Sequence, residues 1–232
     1  MALPRYLAMT ASEIKECAQL PPKIAWMACH FSPYGTGLSS LPPSLPDGSL
    51  LILNDRTPIR GHDPVRIAQE LTQCVKRFEC FGVLLDLQRP GVPETEALVA
   101  HLAGALPCPM VVSSCYAAFC GCPVLVSCPP PHVPLKEHLQ PWQGRALWME
   151  LALEQETLRL TADGCAITPG ASPEGQAFRE DSLCCHYSIQ TAPEEAVFSL
   201  WRTGEDLQRL MKQAEAFGIQ AVVGLYQELF VP

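Results

Sequence analysis

The chain has 232 residues, 48% of them hydrophobic and 17% charged, enough apolar sequence to bury one sizeable core within the ordinary size of a single α/β barrel domain. Its formal net charge is -8 and no Lys/Arg-rich run interrupts it. Neither phosphate neutralisation on nucleic acid nor polybasic attraction to an anionic membrane has residues to supply it, so the expected partner is neutral or small.

The segment before Cys17 carries an early arginine but no continuous apolar h-region, and no later stretch approaches the roughly 18 uninterrupted apolar residues of a membrane span. The chain therefore reads as cytoplasmic, with no membrane partner. Strand-length apolar runs then follow one another: KIAWMACHF (Lys23 to Phe31), SLLILND (Ser49 to Asp55), GVLLDLQ (Gly82 to Gln88), PMVVSS (Pro109 to Ser114), PVLVSC (Pro123 to Cys128), RALWMEL (Arg145 to Leu151), CCHYSI (Cys184 to Ile189) and AVVGLY (Ala221 to Tyr226). PRYLAM, Pro4 to Met9, is a weaker ninth. Helical stripes lie between some of them. Ala68, Leu71, Val75 and Phe78 share one face, as do Leu98, Leu102 and Leu106, and as do Leu207, Leu210, Met211, Ala214 and Phe217 ahead of Gly218. Strands alternating with helices predict a parallel sheet, here a small (β/α)8 TIM-type barrel occupying residues 1–232 as one domain. ETLRLTADGCAIT, residues 156–168, alternates apolar and polar residues about Asp163-Gly164 and predicts a hairpin inserted at one face of that barrel.

Residues two apart in a strand share a face, so Leu84, Asp86 and Gln88 point one way and Val83, Leu85 and Leu87 the other. At the carboxyl end of a barrel strand the inward face opens into the site formed by the βα loops. Asp86 and Gln88 stand at that end of FGVLLDLQRPG, just before the turn at Pro90-Gly91. Asp55 and Glu150 also end apolar runs, and Glu228 follows the last one. Each of these three has an alternative reading as a solvated loop carboxylate.

RIAQELTQCVKRFECFGVLLDLQ resembles the fourth-strand region of glycoside hydrolase family 18, the chitinase and endo-N-acetylglucosaminidase family, whose signature runs DGxDxDxE. Aligned on Gly82, Leu84 stands for the first inner aspartate, Asp86 for the second and Gln88 for the catalytic glutamate. HYSIQTAPEEAVFSLWRTGEDLQRLMKQAEAFGIQAVVGLYQEL resembles the family's closing segment, with Tyr226 where a tryptophan floors the bound sugar. The resemblance implies a carbohydrate partner, an N-acetylglucosamine-type sugar, hydrogen-bonded by Asp86 and Gln88 and stacked on Tyr226; Asp55 and Glu228, by their place at the strand ends, are further ligand-binding candidates. It also implies weak or absent hydrolysis, because the family protonates the leaving oxygen with the glutamate that Gln88 replaces, and an amide has no useful acidity. Glu150 or Asp55 is a candidate replacement acid, which leaves a working glycosidase as one alternative and a protein-interaction scaffold as another.

No GxSxG elbow, Walker A loop or GxGxxG is present with its flanking elements, so no cofactor is expected. His30, His62 and His186 have no ligand spacing between them. The twelve cysteines mostly sit in apolar runs, where a thiol packs as a small hydrophobe. CYAAFCGC, Cys115 to Cys122, lacks the paired C-x2-C spacing of a zinc knuckle and reads as packing, with a soft metal or redox chemistry as the alternatives.

Overall fold

The computed structural model describes residues 3–33, 37–57, 59 and 61–229. Its strands are β1 (Arg5–Met9), β2 (Ile24–Phe31), β3 (Leu38–Ser39), β4 (Leu50–Asn54), β5 (Gly82–Asp86), β6 (Met110–Ser113), β7 (Val124–Val126), β8 (Leu147–Leu151), β9 (Gln155–Thr161), β10 (Gly164–Pro169), β11 (Phe178–Glu180), β12 (Cys185–Ala192), β13 (Glu195–Trp201) and β14 (Ala221–Leu225). Eight of them pair in parallel around a closed ring, β1-β2-β4-β5-β6-β7-β8-β14, with β14 returning to β1. This is the (β/α)8 barrel that the alternation of elements predicts.

The chain places its core by strand parity. One buried cluster, Tyr6, Ala8, Ala25, Leu50, Ile52, Leu84, Val111, Leu125, Trp148, Ala221 and Val223, draws on all eight barrel strands and on no helix, so it fills the barrel interior. Residues of the opposite parity, among them Leu51, Val83, Leu85 and Val112, face outward and join Ile67, Leu71, Leu98 and Leu102 of the surrounding helices. Burying each such leucine contributes about 1.5–3 kcal/mol. Tyr6 stacks on Trp148 at 5.3 Å between ring centroids and Phe81 lies 6.2 Å from both, which closes the amino end of the barrel with aromatic rings.

The helices are α1 (Ala11–Glu16), α2 (Pro64–Arg77), α3 (Pro93–Ala105), α4 (Leu135–Leu139), α5 (Gly204–Ala216) and α6 (Tyr226–Leu229). Only α2, α3 and α5 are long enough to cover a barrel flank. Asp63 caps α2 by accepting from Val65 N–H at 2.9 Å, with Pro64 preset at the first helical position. Thr203 and Asp206 form a reciprocal capping box on α5, and Gly218 follows its end at φ +81, the left-handed conformation a glycine adopts without cost. Among the described residues no helix is long and apolar enough to cross a membrane.

Two features depart from the sequence reading. CCHYSI is not a barrel strand: β12 pairs antiparallel with β13 from His186↔Trp201 to Ala192↔Glu195, and with β11 on its other side. The weaker candidate PRYLAM takes the eighth place in the ring as β1, because Tyr6 and Ala8 fill its interior. The hairpin predicted at residues 156–168 forms as β9 and β10, but it belongs to a five-stranded antiparallel sheet, β10-β9-β13-β12-β11, inserted between β8 and α5.

Gly82 opens β5 where a Cβ would lie 2.3 Å from the carbonyl oxygen of Pro109. That oxygen also accepts from Val83 N–H at 3.0 Å, so it cannot retreat without loosening the β5–β6 pairing. Gly82→Ala is expected to cost about 2–3 kcal/mol, read as a lower urea midpoint with unchanged slope.

Candidate functional site

At the carboxyl end of the barrel the interior opens into a cavity of about 820 Å³, within the roughly 300–1,000 Å³ usual for small-molecule sites. Ala8, Ile52, Leu84, Leu125 and Val223 form its floor, the same aliphatic residues that cap the barrel core. Above them the next inward positions are polar. Asn54 and Asp86 are Cα partners in the β4–β5 register, Glu150 is paired with Val223 in the β8–β14 register, and Thr10, Ser12, Arg56 and Gln88 complete the rim.

The turn after β5 is held from several sides. The Oδ2 of Asp55 accepts from Gln88 N–H at 3.0 Å and from Arg89 N–H at 3.1 Å. Ser113 Oγ donates to the carbonyl of Leu87 at 2.6 Å, and the Tyr116 hydroxyl donates to that of Arg89. Leu87 is fully buried in the outer layer, which leaves Asp86 and Gln88 on the cavity side. There the Gln88 amide Nε2 donates to Oδ1 of Asp86. Asn54 is anchored by donating to the Met27 carbonyl at 3.0 Å and accepting from Arg56 N–H at 3.1 Å.

Glu150 is the group whose chemistry this environment changes most. Burial, then the charges of Asp86 and Glu154, push its carboxyl up from 4.5 to about 7. Desolvation and like charge both disfavour the carboxylate, so near neutral pH the group is about half protonated and can either donate or accept a proton. Asp55, by contrast, is nearly buried and spends one carboxylate oxygen on two backbone amides, the arrangement of a loop anchor.

Asp86, Gln88, Asp55 and Glu150 therefore meet at one cavity, while Tyr226 and Glu228 lie apart from it. Tyr226 starts α6 and packs against the outer cluster that contains Leu7 and Leu151. Its hydroxyl lies 3.6 Å from Cys17 Sγ. Glu228 Oε2 accepts from Leu153 N–H at 2.8 Å and lines a separate cavity of about 660 Å³ beside α5. No aromatic ring is among the described lining residues of the barrel cavity. His30 meets the Ala28 carbonyl, His62 the Ser32 carbonyl and His186 the Asp206 carboxylate. Among the described residues no cluster of three or more His, Cys, Asp or Glu could hold a metal ion.

The sequence reading took Asp55 as the strand-end residue of SLLILND and passed over Asn54. Parity was the available signal: Leu50 and Ile52 face the interior, so the residue two further on does too.

No protein-family sequence model matches the chain and no curated protein sequence matches it; its similarity to known proteins is one of structure. The family 18 N-acetylglucosaminidase from Paenibacillus barengoltzii superimposes with a TM-score of 0.63 at 8% identity, over 98% of this chain and 97% of that one. The spore cortex-lytic enzyme SleL of Bacillus cereus gives 0.60 at 7% identity, over 100% of this chain and 72% of that one. The chitinase-like agglutinin of Robinia pseudoacacia gives 0.59 at 11% identity, over 97% and 95%. With its closed eight-stranded parallel ring, the chain has the TIM-barrel fold of the family 18 glycoside hydrolases and chitinase-like proteins.

Proposed function

We propose that this barrel binds a glycan containing N-acetylglucosamine in the cavity at its carboxyl face and hydrolyses it weakly or not at all by the family 18 route. The observation that carries this reading is the convergence of Asn54, Asp86, Gln88 and Glu150 over an aliphatic floor in one cavity, on a fold shared with an N-acetylglucosaminidase and with an agglutinin. Carboxylates and amides accept and donate hydrogen bonds to sugar hydroxyls, and the aliphatic floor suits the C–H face of a ring or an acetamido methyl. Three acids and one arginine line the cavity, a balance that favours a neutral polyhydroxylated ligand over an anionic one. With Gln88 at the catalytic position, the leaving oxygen finds a hydrogen-bond donor and no general acid, a loss of about 10²–10⁴ in rate.

Calorimetric titration with (GlcNAc)4 tests the binding. Asp86→Ala, which removes an acceptor and frees the Gln88 amide, is expected to weaken affinity by about tenfold or more. No binding by the wild-type protein would remove the proposal.

A second reading, an active glycosidase, is favoured by Glu150, whose carboxyl titrates near 7 inside the same cavity. In that case a chromogenic N-acetylglucosaminide would be turned over and Glu150→Gln would abolish the turnover. If the wild-type protein binds (GlcNAc)4 without turnover, the binding reading stands alone.

A further inference from the structure

The inserted sheet has two unlike faces. Its register places Ile167 opposite Leu158, Leu158 opposite Phe198 and Phe198 opposite Ile189, and residues paired directly across antiparallel strands share a face. Two positions along the strands, that face shows Leu160 on one side of the row and Tyr187 with Phe178 on the other, their rings stacked at 5.5 Å. All five strands therefore contribute to one apolar surface. The opposite face is polar and hydrogen-bonded. Arg159 pairs with Glu195, Ser199 Oγ donates to the Ser172 carbonyl at 3.2 Å, Thr157 Oγ1 to that of Gly170 at 2.8 Å, and Gln190 Nε2 to Glu174 at 2.8 Å. The segment between β10 and β11 thus lies over the polar face.

The apolar face stays open. Ile167 is 47% exposed, Ile189 42%, Phe178 41% and Leu160 39%, while Leu158, Phe198 and Tyr187 are half-buried. None of these residues belongs to the three clusters that hold the barrel and its helices together. A sheet with one apolar face gains stability by burying it against another layer, and a contiguous open patch with a polar surround marks an interaction surface.

We propose that this face pairs with the same face of a second copy of the chain about a two-fold axis. Charge favours a like partner. Two carboxylates share the parity of the face, and neither stands free on it: Glu156 is buried and accepts from His132 N–H at 2.6 Å, and Glu180, at a corner, accepts from Ser182 N–H at 3.0 Å. A surface without free charge offers nothing to a charged partner but is complementary to itself, as a two-fold contact requires. The chain carries a net charge of -8, so two copies repel each other except where they meet on such a surface. With strands about 4.8 Å apart and about 3.4 Å per residue, five strands and three rows of side chains give each copy about 400 Å² in plan. A pair then covers about 800 Å² before the corrugation of the side chains is counted, the low end for specific association, so the dimer is weak and reversible. Aligned sheets pack about 10 Å apart, a gap that the aliphatic and aromatic side chains of the two copies fill.

Sedimentation velocity of the full chain, without sugar, at about 5 to 500 µM tests this. The boundary should move from monomer to dimer across that range. Ile167→Asp and Ile189→Asp each place an unpaired charge in the contact and should weaken association at least tenfold. Both residues are exposed, so the variants should keep the far-UV dichroism and melting temperature of the wild type. The wild-type protein gives a second readout that needs no variant: in an equal mixture of isotope-labelled and unlabelled chains, filtered NOEs should connect the methyls of Leu158, Leu160, Ile167 and Ile189 to the other copy. A monomer at every concentration, variants that associate as the wild type does, or inter-copy NOEs confined to other surfaces would overturn the proposal.

Discussion

Glu150→Gln is expected to raise the stability of the protein by up to about 3 kcal/mol at pH 8 and to leave it unchanged near pH 4. In the folded chain the carboxyl titrates at about 7 instead of 4.5, because burial first, then the charges of Asp86 and Glu154, disfavour its ionised form. Below pH 4.5 the group is protonated in both folded and unfolded chains and contributes no difference. As pH rises from 4.5 to 7 the unfolded chain gives up a proton that the folded chain keeps, so stability falls; above 7 the full penalty is present. Glutamine reproduces the protonated carboxyl at every pH, so the benefit of the substitution grows across that window. Melting temperatures at pH 4, 6 and 8 check this, with a rise of several degrees at pH 8 for a chain of this length. A benefit independent of pH, or a loss at pH 8, would show that Glu150 is not held protonated. A site that keeps a destabilising acid in its wall is spending fold stability on that position, as ligand sites commonly do.

Arg202→Leu is expected to be strongly damaging, at about 3–5 kcal/mol, because several buried carbonyls each lose a donor. The side chain is 3% exposed and has a run of prolines to satisfy. Cys128, Pro129, Pro130 and Pro131 carry the chain out of β7, and prolines offer carbonyls but no N–H with which to pair them. Arg202 supplies the donors: Nη1 to the Pro129 carbonyl, Nη2 to Pro130 at 3.5 Å and to Leu183 at 3.3 Å, and Nε to Cys184 at 3.2 Å. One guanidinium, on the residue just after β13, thus ties the loop after β7 to the segment leading into β12. Leucine would fill part of the volume and leave those carbonyls buried without donors. Lysine would not rescue the loss, since a single ammonium cannot span acceptors on both sides as the planar fork does. Chemical denaturation should show the loss in full; a change under about 1 kcal/mol would mean that water satisfies the carbonyls.

The barrel was largely legible because its signals are local. Buried parallel strands are continuous apolar runs, and helical stripes such as Ala68-Leu71-Val75 separate some of them, so the repeating order survives in one dimension. The inserted sheet was less so. CCHYSI is as apolar as a barrel strand over its first residues, and only its pairing with β13, through the two-residue turn Pro193-Glu194, assigns it elsewhere. The site divided along the same line. Asp86 and Gln88 followed from strand parity, and so would Asn54 have done. The position of Tyr226 did not follow, because the chain turns into α6 at that residue and its ring leaves the barrel axis. A run that looks like a strand's last residue can be the first residue of the next element, and parity then says nothing about its direction. The raised pKa of Glu150 was equally out of reach, since it depends first on burial inside the closed barrel and then on Asp86, three barrel strands away, and on Glu154.

The central claim is that a sugar oligomer sits on the aliphatic floor of the barrel cavity. Methyl-resolved NMR of the full chain during titration with (GlcNAc)4 tests it most directly. The expected result is saturable shifts of the Ile52, Leu84, Leu125 and Val223 methyls, with the methyls of Leu160, Ile167 and Ile189 on the inserted sheet unmoved. Shifts confined to the inserted sheet, or no shift at millimolar sugar, would contradict it.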